Sequence, residues 1–365
     1  MIYPPKKLGI LGGGQLGRMS AIAAARLGIE THIFTPEENA PASHVATRTW
    51  VASYDDKKTL KAFCEQVDVV SYEFENIPVD TIREIQKTTP VYPDDRLLEV
   101  TQHRITEKKF LNDIGLPTAK WALATSAKEL QEKTNEMGCS EYIIKTTRFG
   151  YDGKGQMSFS TGDDSKTCWK QLNSKELIIE EKIDFACEIS IIVARDKLGQ
   201  MAVYGPSLNE HKGGILHKST VPAAIPHETA IAARQKVETL AEAVDLVGVL
   251  ALELFVGKDG EIFANEIAPR THNSGHWTID ACTACQFQQH VRTVCGLPVA
   301  IPNRHSDAMM VNLLGSDVRK VDPWLEMRGA NIHFYGKTDI KDGRKMGHVT
   351  VITPKDQQKV SYEDL

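Results

Sequence analysis

The chain has 365 residues, 41% hydrophobic and 25% charged, with a formal net charge of −5. That length holds two or three domains with ample core, and mild acidity without a dense Lys/Arg cluster excludes an electrostatic footprint for nucleic acid. The longest apolar run is cut by Glu253, which excludes a membrane span, and seven irregularly spaced cysteines point to reduced thiols in a cytoplasmic setting.

The first hundred residues alternate strand and helix. Lys7–Leu11 reads as a strand, Leu16 to Leu27 as a helix and Glu30 to Phe34 as a second strand. A helical stretch around Lys57 to Gln66 then leads into a strand from Val67 to Tyr72. This βαβαβ order predicts a parallel sheet. Gly12-Gly13-Gly14-Gln15-Leu16-Gly17 fits GxGxxG and opens the first helix, where backbone amides can meet an anion. A dinucleotide site wants an acid at the end of the second strand, yet the acids come late, at Glu37 and Glu38. Another phosphate therefore suits the loop better, and a ligand-free tight turn would use the same residues. Tyr72–Pro78 leaves the C-terminal end of its strand, where open α/β sheets place ligand contacts. Glu73 or Asn76 can read hydroxyl or amine groups there, although solvated acids at a strand exit would look similar.

From about Thr106 the texture changes. Lys108 to Ile114 reads as a helix, ended by Gly115-Leu116-Pro117-Thr118. Strands are predicted at 141–146, 157–160, 176–179, 188–194 and 201–204, and an amphipathic helix from Glu228 to Val244. A further helix is expected near His276 to Cys295. It would carry Cys282 and Cys285 as small packing residues rather than as a redox or zinc pair. Short strands finish the chain, giving three compact units.

Lys145 ends a strand and precedes the loop Gly150-Tyr151-Asp152-Gly153-Lys154-Gly155-Gln156. Glycines flanked by Lys145, Arg148 and Lys154 can close over phosphates, although Asp152-Gly153 also suits a polar hairpin. No Walker A pattern is present. The connector Glu180-Glu181-Lys182-Ile183 can offer backbone groups to an adenine edge and Glu188 can take ribose hydroxyls; a charged surface turn is the plain alternative.

The richest segment is Ala251–Val256, Gly257-Lys258-Asp259-Gly260 and Glu261–Glu266. A tight turn at Asp259-Gly260 places Glu253 directly opposite Glu266, and a slip of two residues keeps both on one face. Like charges placed opposite each other destabilise a sheet, so a cation belongs between them. Hard carboxylate oxygens suit magnesium, which shares its shell with water and phosphate. Flanking Leu252, Leu254, Phe255 and Ile262 argue against two solvent-facing glutamates. Beyond the hairpin, Asn273 and Ser274 are helix-start signals. They leave Arg270 and His272 unexplained, and charge developing on transferring oxygens needs such groups.

In this order the blocks resemble the 5-(carboxyamino)imidazole ribonucleotide synthetase family of the ATP-grasp superfamily. The resemblance runs through Gly12–Met19, Tyr72–Pro78, Lys145–Gln156, Glu180–Ala194, Glu210–Leu216, Asn265–Ala281 and Lys345–Val351. It implies an α/β and α+β fold: a Rossmann-like pre-ATP-grasp domain over residues 1–104, an ATP-grasp domain over 105–300 and a small β-rich C-terminal domain over 301–365. It implies ATP contacts from Arg104, Lys145, Gly150, Tyr151, Asp152, Gly153, Lys154, Gly155, Gln156, Glu180, Glu181, Lys182, Ile183, Glu188, His211, Asn265 and Glu266. Glu253 and Glu266 would bind Mg2+, which Mn2+ can replace. Gly14, Gln15, Leu16, Glu73, Asn76, Asn273, Ser274, Lys337, Arg344 and Lys345 would meet the ribonucleotide, with Tyr151, Arg270, His272 and Lys345 around the carboxylation centre. The implied activity is ATP- and bicarbonate-dependent carboxylation of 5-aminoimidazole ribonucleotide through carboxyphosphate, in a cytoplasmic homodimer acting on small molecules. Rival readings are a formate-dependent transformylase, a biotin carboxylase, an NAD-dependent oxidoreductase and a non-catalytic nucleotide binder. Thr271 and Phe149 depart from the family's usual proline and glycine, which affects loop stiffness but removes no charged group.

Overall fold

The computed structural model describes residues 6–150 and 153–355. Strands β1 (Lys7–Leu11), β2 (Glu30–Thr35), β3 (Arg48–Val51) and β4 (Val69–Tyr72) form a parallel sheet in the order β3-β2-β1-β4. Leu8, Ile10, Ile33 and Val69 are buried against the helix Gln15–Arg26, while Leu11, Phe34 and Val70 meet Leu60 and Phe63 on the other face. Cover on both faces is what a parallel sheet requires. The glycine loop therefore stands at the C-terminal edge of β1, next to the exit of β4.

Strands β5 (Trp121–Ala124), β6 (Glu141–Thr146), β7 (Gln156–Ser160) and β8 (Leu177–Glu181) make a small antiparallel sheet in the order β5-β8-β6-β7. Its apolar face packs Tyr142, Ile144, Phe159 and Ile179 around Leu130 and Cys168 of two covering helices.

The third sheet has eight strands: β9 (Phe185–Arg195), β10 (Met201–Lys212), β11 (Ile215–Val221), β12 (Gly248–Gly257), β13 (Ile262–Ala268), β14 (Ser306–Leu314), β15 (Ala330–Phe334) and β16 (Lys345–Pro354). Their order is β13-β12-β9-β10-β11-β14-β16-β15. The helix His227–Ala243 buries Ala233, Val237, Leu240 and Ala241 against Ile189, Ile191, Leu250 and Leu252, while Ile231 points outward. The C-terminal strands are not a separate sheet. β14 pairs with β11 from Lys218↔Val311 to Val221↔Ala308, which carries β16 and its Lys345 to the cleft side of the large sheet.

Several expectations need correction. The strand begun at Met201 runs twelve residues to Lys212, and β14 and β16 are nine and ten residues long rather than short. The helix expected over 276–295 is broken. Thr278–Ala281 ends where Cys282 turns extended (φ −129°, ψ 151°), and Gln286–Val294 starts anew behind Cys285. The cause is long-range: Thr283 N donates to Asn303 O and His305 N to Ala281 O, contacts a continuous helix could not make. Cys282 and Cys285 thus span the break, and Cys285 Sγ accepts from the amide of Gln288 at 3.4 Å. Among the described residues no helix is long and apolar enough to cross a membrane.

Candidate active site

A cleft of about 660 Å3 opens between the small sheet, the β12–β13 edge of the large sheet and the glycine loop after β1. Its chemistry starts at the hairpin. Glu253 and Glu266 are direct partners across β12 and β13, and both line the cleft. The turn is wider than two residues: Gly257 N donates to Glu261 O and Gly260 N to Gly257 O. Val256 accordingly faces Ile262 and Leu254 faces Ala264, one short of the tight-turn register. A bulge between Leu254 and Glu253 restores the opposition of the two acids.

Each carboxylate has a basic side chain beside it. Arg104 Nη1 lies 3.3 Å from Glu266 Oε2, and His272 Nε2 lies 3.1 Å from Glu253 Oε1. Burial opposes the charged form of Glu253, but the hydrogen bond from His272, with His211 and Lys345 nearby, holds it well below the usual carboxylate range. His272 Nδ1 faces the amide and hydroxyl of Ser274, and Ser190 Oγ donates to Ser274 Oγ at 2.6 Å. That chain makes Nδ1 the acceptor and turns Nε2–H toward Glu253. Ser274 therefore sits behind His272, fully buried, rather than on the cleft wall. Asn273 lines the cleft and is braced by Asn312.

On the opposite wall Lys145 Nζ donates to Glu180 Oε2 at 2.9 Å. Burial raises the cost of the Glu180 charge, yet Lys145 and Lys108 outweigh it and bring that carboxyl down to about 2. Burial, helped by Lys108 and Arg104, pulls Lys145 below the ordinary lysine value. Gly150, Gly153, Lys154 and Gln156 line the cleft beside them, as do Glu181, Lys182, Ile183, Glu188, His211 and Asn265. Gly155 does not. Its carbonyl accepts from Thr146 N and it forms the turn into β7. Tyr151 and Asp152 lie outside the described residues. A Cβ on Gly150 would stand 3.0 Å from Arg104 Nη2 and 3.2 Å from Lys154 O, so a larger residue would push the loop and Arg104 apart by a few tenths of an ångström. His211 Nδ1 pairs with Glu188 Oε2 at 3.0 Å; burial works against its charge, but Glu188 and Glu253 raise it above the ordinary histidine value.

At the third wall the amides of Gly14 and Gly17 donate to the Glu73 carboxylate, the latter at 2.7 Å. The anion seated on the glycine loop is a side chain of the protein. Burial raises Glu73 despite these amides. Gln15, Leu16 and Asn76 line the cleft around it. Sequence reasoning assigned no role to Glu75, which accepts from Arg270 Nε at 2.5 Å. The signal was present: a buried arginine facing a cleft needs a counter-charge. Lys345 also lines the cleft, whereas Lys337 and Arg344 stand behind it. Lys337 Nζ donates to Lys345 O at 2.8 Å, and Arg344 Nη1 to Asp339 O. Burial, then Arg344, lowers Lys337 to about 8. Ala119, Ile143, Leu216 and the stacked pair Phe185–Phe255 add apolar surface that the motifs did not indicate.

Asp280, His333 and His348 also bring donor atoms within 4.8 Å of one another. The two imidazoles are stacked 4.5 Å apart at 12°, and lone pairs lie in ring planes, so parallel rings cannot aim both at one ion. Asp280 pairs with His333, and Tyr335 with His348.

Family models match three stretches: the ribonucleotide synthetase preATP-grasp domain over residues 5–102, the ATP-grasp domain over 109–287 and the phosphoribosylaminoimidazole carboxylase C-terminal domain over 308–361. The N5-carboxyaminoimidazole ribonucleotide synthase of Brucella melitensis biotype 1 is 48% identical over 97% of this chain and 98% of its own length. That of Bacillus subtilis strain 168 is 38% identical over 98% and 94%. A solved N5-carboxyaminoimidazole ribonucleotide synthetase in complex with ADP has TM-score 0.93 and 41% identity, covering 97% of this chain and 94% of that one. The Aspergillus clavatus synthase with ADP and 5-aminoimidazole ribonucleotide has TM-score 0.90 and 27% identity over 96% and 94%. The domain order, the cleft between the sheets and these full-length likenesses agree, and the chain belongs to the N5-carboxyaminoimidazole ribonucleotide synthase family of ATP-grasp enzymes.

Proposed function

We propose that the three walls of the cleft divide one ligase reaction among them. The reaction is the ATP-dependent carboxylation of 5-aminoimidazole ribonucleotide to N5-carboxyaminoimidazole ribonucleotide, a step of purine biosynthesis. The observation that carries the assignment of residues is the opposition of Glu253 and Glu266 in the cleft that Lys145, Arg270 and His272 also reach or border. Two opposed carboxylates on rigid strands fit a hard divalent cation. Glu253 and Glu266 would hold magnesium or manganese, which when bound neutralises phosphate oxygens.

Glu181 to Ile183 offer backbone groups to the adenine edge, Glu188 and His211 take the ribose hydroxyls, and Lys145 with the glycine loop takes the phosphates. Arg104, Asn265, Gly150, Gly153, Lys154 and Gln156 complete that wall. A bicarbonate oxygen attacks the γ-phosphorus of ATP, the bond to ADP breaks and carboxyphosphate forms. Arg270, aligned by Glu75, meets the charge developing on the transferred oxygens. His272, held as the Nε2–H tautomer, and Lys345 flank the same centre. The exocyclic amine attacks the carboxyl carbon, or carbon dioxide released from it, and phosphate leaves as the amine proton is lost. Gln15, Leu16, Glu73, Asn76 and Asn273 hold the ribonucleotide, with Lys337 and Arg344 supporting its anionic end. Closing the loop at Gly150–Gln156 keeps water from the activated carboxyl.

The test is stoichiometric. ATP cleavage requires bicarbonate and rises when the ribonucleotide is added; cleavage supported equally by formate or an amino acid overturns the substrate assignment. The free state of all seven cysteines supports a reducing cytoplasmic compartment. The homodimer rests on the family resemblance and is checked by sedimentation.

A further inference from the structure

Two side chains outside the cleft lining reach the strand of Glu266 from behind. Strand β13 is an edge of the large sheet, and its outward side meets only a lone bridge at Ala264, whose amide donates to Pro117 O. Its register with β12 slips by one between Glu253 and Leu254, which makes Asn265 the extra residue of a bulge. A bulge re-aims the side chains beside it, and the next one is Glu266. The outward backbone groups at this point are taken by side chains. Lys108 Nζ donates to Asn265 O at 2.7 Å, and Ile267 N donates to Glu107 Oε1 at 2.6 Å. The two contacts bracket Glu266.

Both side chains come from the helix Arg104–Asp113. With Arg104, which meets the Glu266 carboxylate itself, they occupy positions i, i+3 and i+4, one face of the helix. Glu107 is 2% exposed and Lys108 1%. A helix needing only to pack would place apolar groups here, because a buried carboxyl or ammonium is costly unless its hydrogen bonds are specific. Lys108 Nζ also stands 3.5 Å from Glu180 Oε2, the carboxylate that holds Lys145.

We infer that Glu107 and Lys108 are positioning residues that fix the bulge at Asn265 and so aim the Glu266 carboxylate into the cleft for the divalent cation. The inference rests on the reading of Glu253 and Glu266 as cation ligands. Neither residue touches a reacting group. They act through two backbone contacts, and Lys108 ties the same hairpin to Glu180 on the opposite wall.

The full-length protein with ADP is titrated with Mn2+, free ion being followed by electron paramagnetic resonance, and the rate is measured against magnesium concentration. Glu107→Ala and Lys108→Met weaken Mn2+ binding by about tenfold or more and raise the half-saturating magnesium concentration in proportion. The kcat of Glu107→Ala at saturating metal falls by less than about threefold, since the reacting groups are intact. Glu107→Gln, which keeps an acceptor of the same reach, stays within about threefold of the parent in Mn2+ affinity. If Glu107→Ala does not fold, Glu107→Asn, one methylene too short for Ile267 N, must show the same weakening. Unchanged Mn2+ affinity in the truncated variants overturns the inference, as does equal loss in Glu107→Gln. Glu266→Gln separates the two readings. Should it leave Mn2+ affinity untouched, the ligand assignment itself fails; should it alone weaken binding, only the positioning role fails.

Discussion

Glu75 Oε2 lies 2.5 Å from Arg270 Nε, closing a gap of 195 residues between the first parallel sheet and the end of the large antiparallel one. Burial opposes the Glu75 charge, but the guanidinium outweighs it and sets the carboxyl at about 2. The pair is therefore fully ionised at neutral pH. Glu75→Ala leaves Arg270 inside the wall without its partner, and loss of one partner from a buried pair costs about 3–5 kcal/mol. The expected result is a fall in kcat/KM for the ribonucleotide of about 100-fold with KM for ATP nearly unchanged, because only one wall is disturbed. A rise in KM for ATP with kcat unchanged would place the pair elsewhere in the mechanism. The sign for stability follows from linkage. The contribution of Glu75 is complete above the ordinary carboxylate value of 4.5 and is lost as pH falls toward 2. Denaturant titrations of parent and Glu75→Gln, compared at pH 6 and pH 3, measure it.

Lys337 gives a second pH dependence with a different origin. Burial and the neighbouring Arg344 lower its ammonium to about 8, so it is cationic below that pH and neutral above it. If its charge steadies the anionic end of the ribonucleotide, kcat/KM for that substrate declines as pH rises through 8, because this parameter reports the free enzyme. Lys337→Arg keeps a cation throughout and moves the decline to higher pH. A decline that survives unaltered in Lys337→Met belongs to another group.

For the opposed acids the contrast is between binding and turnover. Glu266→Gln and Glu253→Gln keep size and hydrogen-bonding capacity but remove the charge a hard cation needs. Turnover falls by about 100-fold or more, while ATP still protects the chain against proteolysis, since Lys145 and the connector after β8 remain. Chelation of divalent ions abolishes turnover in the parent, and magnesium or manganese restores it. Turnover that persists in the chelated parent would remove the cation from the reaction.

How these features stood in the sequence divides along a physical line. Local patterning located β1, β6, the helix Gln15–Arg26 and the long helix His227–Ala243 to within a residue or two, because each buries a face through its own periodicity. The opposition of Glu253 and Glu266 was also legible, although by two departures that cancel: the turn at Asp259 is wider than a tight hairpin, and the bulge at Asn265 takes up the extra residue. That bulge depends on Glu107 and Lys108, about 157–160 residues away, and no local pattern carries it. The glycine loop is a similar case. GxGxxG correctly marks amides that want an anion, but Glu73, fifty-nine residues from Gly14, supplies one from within the fold. The break at Cys282 likewise follows from hydrogen bonds to Asn303 and His305 that helical propensity does not contain.

Phe149 tests whether the departure from glycine before the phosphate loop carries a cost. It has φ +61°, in the left-handed region, and is 73% exposed. A non-glycine residue held there costs on the order of 1 kcal/mol, and an exposed ring recovers little of it by burial. Glycine at 149 would remove that strain but would also widen the unfolded ensemble, an opposing effect of about 0.4–1 kcal/mol. The two nearly offset, so Phe149→Gly changes unfolding free energy by less than about 1 kcal/mol, and so does Phe149→Asn, which tolerates the same backbone. Phe149→Val is worse than either by more than about 1 kcal/mol, because a β-branched residue resists positive φ most strongly. Urea melts of the three variants decide the order. If valine is tolerated as well as glycine, the left-handed conformation is not what residue 149 has to satisfy; if all three lose several kcal/mol, the ring itself stabilises the fold.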